Sequence, residues 1–163
     1  WVNMVTAITL SLAFVFASRD PSVMQKAPIL RNSSIFTKRK LGIMMLHVLL
    51  ISGGTIGLFL HELKNVTNIA SAQTLAVNIL VFFQIYYLWG IFPLQGSIST
   101  LWPVIFATAG VLVFQLGFTY VPFLQDMFNT ASLNGISWLK IMLISSIIFV
   151  VLLAEKKFTM KRH

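Results

Sequence analysis

The sequence predicts an all-α membrane protein: a bundle of five transmembrane helices, with the N-terminus outside and the C-terminus cytoplasmic. Three observations carry this. Of 163 residues, 57% are hydrophobic and only 10% are charged, and the mean hydropathy is +0.86. A soluble domain carries about 25% charged residues, so this chain lacks the polar surface to cover itself in water. The apolar runs are continuous rather than alternating, which favours helices over a barrel, the two structures that satisfy their backbone in lipid. The basic residues, finally, collect beside the apolar runs.

Five spans follow in order: Trp1 to Ala17, Leu41 to His61, Thr74 to Pro93, Leu101 to Val121 and Ser137 to Ala154. Each is about the length a helix needs to cross roughly 30 Å of hydrocarbon. Between the first two, Ser18 to Lys40 holds Arg19, Lys26, Arg31, Lys38, Arg39 and Lys40 against Asp20. With Pro21, Pro28 and Asn32-Ser33-Ser34 it reads as an extended loop. The tail holds Lys156, Lys157, Lys161 and Arg162 against Glu155. Both basic regions belong on the cytoplasmic side, which four intervening spans permit. Between spans two and three His61 to Gln73 has a single Lys, and between spans four and five Val121 to Ile136 has none, so both belong outside. The short link Leu94 to Thr100 has no basic residue and does not vote. Trp89, Trp102, Tyr120 and Trp138 fall near span ends, as an interfacial aromatic belt does.

Polar residues inside the spans are the informative ones. Asn3 and Thr6 are three apart and share a helical face. An amide oxygen and a hydroxyl there suit either a hard cation, which prefers oxygen, or a hydrogen bond to a neighbouring helix. Asn78 and Gln84 are six apart and do not share a face closely; Gln84, near mid-span, needs a partner. In Ser52-Gly53-Gly54-Thr55-Ile56-Gly57, Gly53 and Gly57 form a small-xxx-small face expected to pack a neighbouring helix, with a hinge as the alternative. His47 has no acid nearby in sequence and reads as a packing residue. No Asp, Glu, Lys or Arg lies at the centre of any span. A divalent cation would want carboxylates, so the negative charge of any such site has to come from elsewhere.

Other classes drop out. No Cys is present, which excludes disulfides and thiol chemistry. The net charge of +8 is explained by topology, so no nucleic-acid partner is expected. There is no phosphate-cradling glycine loop, His-x-x-x-His pair or nucleophile–base pair. Asn65-Val66-Thr67 is a glycosylation sequon on the outer side, of a kind frequent by chance. The opening lacks the basic region of a signal peptide, and Asn3, Thr6 and Thr9 interrupt its apolar core. The chain reads as a piece of something longer.

The opening Trp1-Val2-Asn3-Met4-Val5-Thr6-Ala7, followed by Asp20-Pro21, Met24 and Lys26-Ala27-Pro28, resembles the sixth membrane helix and following loop of type II P-type cation-transporting ATPases. Thr74 to Leu88 looks like the eighth helix of bacterial members. Phe118 to Phe128 looks like the outer loop between helices nine and ten, while Trp138-Leu139-Lys140 and Glu155-Lys156 look like the ends of the tenth. These anchors occur in order along essentially the whole chain.

The resemblance implies that residues 1–163 are the C-terminal transmembrane domain of such a pump, helices six to ten, in a bacterial plasma membrane. The charge-derived orientation agrees with it. The expected function is to form part of the ion path and support the bundle, with the lipid bilayer, the transported cation and the missing N-terminal part of the pump as partners. No catalytic or cofactor-binding residue is implied here: the D-K-T-G-T phosphorylation motif is absent, no cofactor is expected in this piece, and ATP and Mg2+ would be used by the parent. Calcium is the family-level expectation for the cation, with Na+, K+, Mg2+ and H+ open. In calcium pumps the sixth helix supplies an Asn, a Thr and an adjacent Asp, and the eighth a Glu. The matching positions read Asn3, Thr6, Ala7 and Gln84. Asn3, Thr6 and Gln84 are thus the expected ligands of the transported cation, and the two lost acids argue against a two-calcium site. Calcium pumps also unwind this helix at a Gly and a Pro, where Ile8, Thr9, Leu10 and Ser11 stand here. The alternatives are a stand-alone membrane scaffold or regulator derived from such a domain, and an unrelated five-helix secondary transporter.

Overall fold

The computed structural model describes residues 2–15, 38–65, 68–91 and 98–160. Six helices follow in order: α1 (Val2–Val15), α2 (Lys38–Asn65), α3 (Ile69–Ile91), α4 (Ile98–Tyr120), α5 (Pro122–Phe128) and α6 (Gly135–Met160). Among the described residues there is no strand. Four segments are long and apolar enough to cross a membrane: Leu41–Lys64, Ile69–Gly90, Leu101–Tyr120 and Gly135–Glu155. The described part of α1 has 14 residues, about 21 Å of helix. Most of the basic loop after α1 and of the link before α4 lies outside the described residues.

Local chemistry sets the helix ends. α2 opens on Lys38-Arg39-Lys40, three residues ahead of the apolar run. Its 28 residues span about 42 Å, longer than the hydrocarbon, so the basic turn projects beyond it. α3 starts at Ile69, five residues before the expected span, because Asn68 caps it: the Ala70 N–H donates to Asn68 Oδ1 at 2.9 Å. Asn134 caps α6 likewise, accepting from the Ser137 N–H at 2.8 Å. The connection from α4 to α6 contains α5, which begins with Pro122 and ends at Asn129 with φ 51°.

α3 is the centre. Its Leu75, Ile79 and Phe83 are fully buried with Ile141 and Ile148 of α6, and Leu58 of α2 joins the same cluster. α3 also touches α4 and α1, whereas α1 packs only on α4 and α3. Lipid is as apolar as leucine, so close packing and hydrogen bonds hold such a bundle together.

Two antiparallel seams are fixed by paired polar contacts. Between α3 and α4, Asn78 Nδ2 donates to Thr119 Oγ1 at 3.2 Å, and Trp89 Nε1 donates to Thr108 Oγ1 at 3.0 Å. Eleven residues separate the two members on each helix, about three turns, so both contacts fall on one face in one register. Trp89 is therefore half-buried in the bundle rather than part of an exposed belt. Between α2 and α6, Lys140 Nζ lies 3.0 Å from Glu62 Oε2 and His47 Nε2 lies 3.2 Å from Glu155 Oε1. Here fifteen residues separate the members on both helices, about 22 Å. His47 is thus more than a packing residue: its acid partner comes from the far end of the chain.

Halfway between those contacts is an apolar cavity of about 220 Å³, bounded by Leu49, Gly53, Gly54, Phe83, Ile144 and Ile147. The close helix approach is made at Gly54, where a Cβ would meet Phe83 Cζ at 2.8 Å. A Cβ at Gly53 or Gly57 would meet nothing within 4 Å. This corrects the expectation that Gly53 and Gly57 form the packed face: rotation of α2 turns Gly54 inward and those two outward.

The connection after α4 satisfies that helix's last carbonyls. Gln125 Nε2 donates to Thr119 O at 2.6 Å, and Thr130 Oγ1 to Phe118 O at 3.0 Å. The Ala131 N–H donates to Thr74 Oγ1 at 2.9 Å, tying the loop to α3. Trp138 Nε1 donates to Tyr120 Oη at 2.7 Å, and Tyr120 Oη donates to Leu133 O at 2.9 Å, clasping α4 to α6.

Two predictions follow from this packing. Lys140→Ala leaves the buried Glu62 carboxylate unpaired; because Lys140 keeps 33% of its side chain exposed, the loss is expected at about 2 kcal/mol, below the range for a fully buried pair. Unfolding in detergent measures it, and combining Lys140→Met with Glu62→Met should restore most of the loss. Gly54→Val should cost about 1–3 kcal/mol by overpacking against Phe83, while Gly57→Ala should leave the same unfolding midpoint unchanged or raised.

Candidate functional site

The three expected ligands sit on α1 and α3. α1 runs unbroken through Ala7 to Val15, so no unwound stretch occurs where calcium pumps have one. Asn3 lies in its first turn, and its side chain is outside the described residues. Thr6 is buried, with 3% of its surface exposed, beside buried Val5. Met4, Ala7 and Ile8 are exposed. The Val5–Thr6 face is therefore the one turned into the bundle, and the position that would carry an acid is turned out.

Gln84 is half-buried on α3. At 100° per residue it stands about 140° around the helix from Ile79 and about 160° from Tyr86. Those two residues face α6, Ile79 in the central cluster and Tyr86 with its ring 6.1 Å from that of Phe149. Gln84 thus points away from α6, and lies about 60° around the helix from Tyr87, whose ring meets His47 of α2. It lies just beyond the strip of α3 that meets α4, where Leu88 packs on Val104 and Ala107. Since α1 touches α3 and α4 and neither α2 nor α6, this flank is the one toward α1. Gln84 Oε1 is buried and has no hydrogen-bond partner among the described residues.

An amide oxygen held out of water without a partner costs about 1–3 kcal/mol. Its chemistry is that of a neutral oxygen donor. Among the described residues no three His, Asp or Glu side chains converge on a point that could hold a metal ion. Whatever these helices offer a cation, they offer as neutral oxygen.

Sequence reasoning placed Asn78 as a packing residue, and its bond to Thr119 agrees. It missed Gln115, which is 1% exposed and whose Nε2 is buried without a partner, as is Asn78 Oδ1. A glutamine late in an apolar run, four residues before the Thr that meets Asn78, was the available signal.

Comparison with known proteins bears on this arrangement directly. The family model described as "Cation transporting ATPase, C-terminus" matches residues 1–158. The chain is 28% identical over 149 residues to the cation-transporting ATPase pma1 of Synechocystis sp., covering 85% of this chain and 16% of that protein. It is 26% identical over 161 residues to the probable cation-transporting ATPase F of Mycobacterium tuberculosis, covering 95% of this chain and 18% of that one. With calcium-transporting ATPase 1 of Yarrowia lipolytica it shares 23% identity over 170 residues, 99% of this chain and 18% of that one. The chain spans about a sixth of the length of these relatives. A match running over nearly every residue, on a bundle of apolar helices with polar groups turned inward, places it in one family: this chain belongs to the cation-transporting ATPases, as the C-terminal membrane domain of a P-type pump.

Proposed function

We propose that the chain forms part of the ion-translocation path of an ATP-driven cation pump and braces that path with the rest of its bundle. The observation that carries the reading is the buried, unpartnered Gln84 Oε1 on the flank of α3 toward α1, whose bundle-facing side carries Thr6. Asn3, three residues before Thr6, joins them as the third ligand by the family resemblance. Hard cations take oxygen ligands, and an amide and a hydroxyl supply them without charge.

The cation is the cargo. The negative charge that would neutralise it comes from helices preceding this chain in the pump, since Ala7 and Gln84 stand where calcium pumps have acids. Phosphorylation by ATP with Mg2+ belongs to that preceding part as well. The two missing carboxylates favour a cargo of lower total charge than two calcium ions, although one relative is named a calcium-transporting ATPase. The cyanobacterial and mycobacterial relatives support a bacterial plasma membrane as the location.

In this reading α3 has two duties. One side of it locks onto α2 and α6, and the other presents Gln84. The rigidity of the first side fixes the position of the second, as a binding group needs.

The test is cation-dependent phosphorylation of the pump that carries this domain. Thr6→Ala, Gln84→Ala and Asn3→Ala are each expected to raise the half-saturating cation concentration about tenfold, equivalent to about 1.4 kcal/mol. Phosphorylation by inorganic phosphate, which needs no bound cargo, should persist and report an intact pump. Unchanged cation affinity in Thr6→Ala and Gln84→Ala would sink the ligand assignment.

A further inference from the structure

The two contacts that join α2 to α6 differ in chemistry. At one end an ammonium meets a carboxylate, Lys140 with Glu62 at 3.0 Å. At the other, the basic end of the bundle, an imidazole meets a carboxylate, His47 with Glu155 at 3.2 Å. An ammonium–carboxylate pair keeps both charges through the neutral range, whereas imidazole is the side chain whose charge changes between about pH 5 and 8. The first is a constant attachment and the second a conditional one.

His47 is buried, while Glu155 ends the apolar part of α6 with its side chain 26% exposed. Glu155 Oε1 is itself buried against His47, while the rest of that side chain is partly exposed. The elements packed on α2 are α3 and α6. Among the described residues, α3 turns Tyr87 toward His47, edge-on with ring centroids 5.5 Å apart, and α6 turns Glu155 toward it. Lys157 is exposed and, two residues beyond Glu155, projects from the opposite side of α6. On α2 itself, Ile43, Met44, Leu50 and Ile51 surround His47 with apolar groups one turn away.

At this end α2 also packs on α3, through Tyr87 against His47 and through Leu50 and Ile51 on the central cluster. Leu41, Met44, Met45, Leu46, Val48 and Leu49 are all exposed. The cavity beside Gly53 lies halfway along, next to the close approach of Gly54 to Phe83 and to Ile144 of α6. The His47–Glu155 contact lies about 22 Å along α2 from the attachment at the far end.

We propose that His47 and Glu155 form a proton-binding site, and that proton occupancy latches the basic end of α2 to α6. A proton taken from the adjacent water converts the imidazole to imidazolium, and its N–H donates to the Glu155 carboxylate. Loss of that proton to the same water leaves a neutral ring beside a carboxylate. The sign is fixed by this chemistry: with the proton bound the latch is closed, and with it lost the charge attraction is gone. The site is separate from the cation ligands, so it stands whether or not Gln84 touches the cargo.

The chain contains no Cys, so paired cysteines carry spin labels without background. Labels at Leu46 and Leu153, both exposed, report the latch in lipid nanodiscs; labels at Leu60 and Met142, also exposed, report the Lys140–Glu62 end. Between about pH 6 and about pH 8.5, the first distance distribution should shift outward and broaden, and the second should stay fixed. His47→Gln and Glu155→Gln should each abolish the pH response, with the second label pair confirming that the variant is folded. Identical distributions at both pH values overturn the proposal. So does a shift that survives in either variant, or one that appears equally at both ends. Should His47→Gln fail to fold, Glu155→Gln alone decides.

Discussion

Lipid offers no hydrogen bonds, and the placement of every polar group in this chain follows from that. A helix settles its backbone internally, but each Asn, Gln, Thr, His or Glu side chain within a span has to find a partner in its own helix, as Thr55 and Thr74 do, or in another, or stand unmet. Most find one. Asn78 reaches Thr119, Trp89 reaches Thr108, Glu62 reaches Lys140 and His47 reaches Glu155. These pairings hold antiparallel helices in a defined register, which apolar contacts alone specify weakly when the surroundings are equally apolar.

The exceptions are then informative. Gln84, Asn78, Gln115 and His47 each keep a buried atom that makes no hydrogen bond among the described residues, His47 Nε2 lying 3.2 Å from Glu155 Oε1 as an ion-pair contact alone. Asn78 and Gln115 belong to the α3–α4 seam, where their other atoms serve packing. Gln84 lies off that seam, on the α1 flank. Its amide oxygen is buried where α3 turns toward α1. The bundle therefore separates into a bracing side, α2 with α3 and α6, and a polar side, α3 with α1.

Composition made the class of fold legible, because 10% charged residues and continuous apolar runs admit few other structures. The family was legible from Trp1 to Ala7 and from anchors spaced along the chain. What the sequence withheld was rotation and register. Gly53 and Gly57 match a packing motif, yet Gly54 is the residue that meets Phe83, since a motif fixes spacing but not which way the helix is turned. Glu155 was invisible as the partner of His47 because more than a hundred residues separate them. The start of α3 was misplaced because Asn68 caps five residues before the apolar run begins. Gln115 looked like a single polar residue near a span end until Thr119 and Asn78 gave it a place.

The equal spacing of the two α2–α6 contacts reaches into how such a protein can evolve. His47 and Glu62 are as far apart on α2 as Lys140 and Glu155 are on α6. A single-residue insertion between the members of either pair would turn everything beyond it by about 100° and detach one end. Drift in the length of one helix is therefore tolerated only with a matching change in the other. Two segments nearly a hundred residues apart in the gene are thus bound to a shared ruler, and insertions in descendants of this domain belong in its loops or in both helices together.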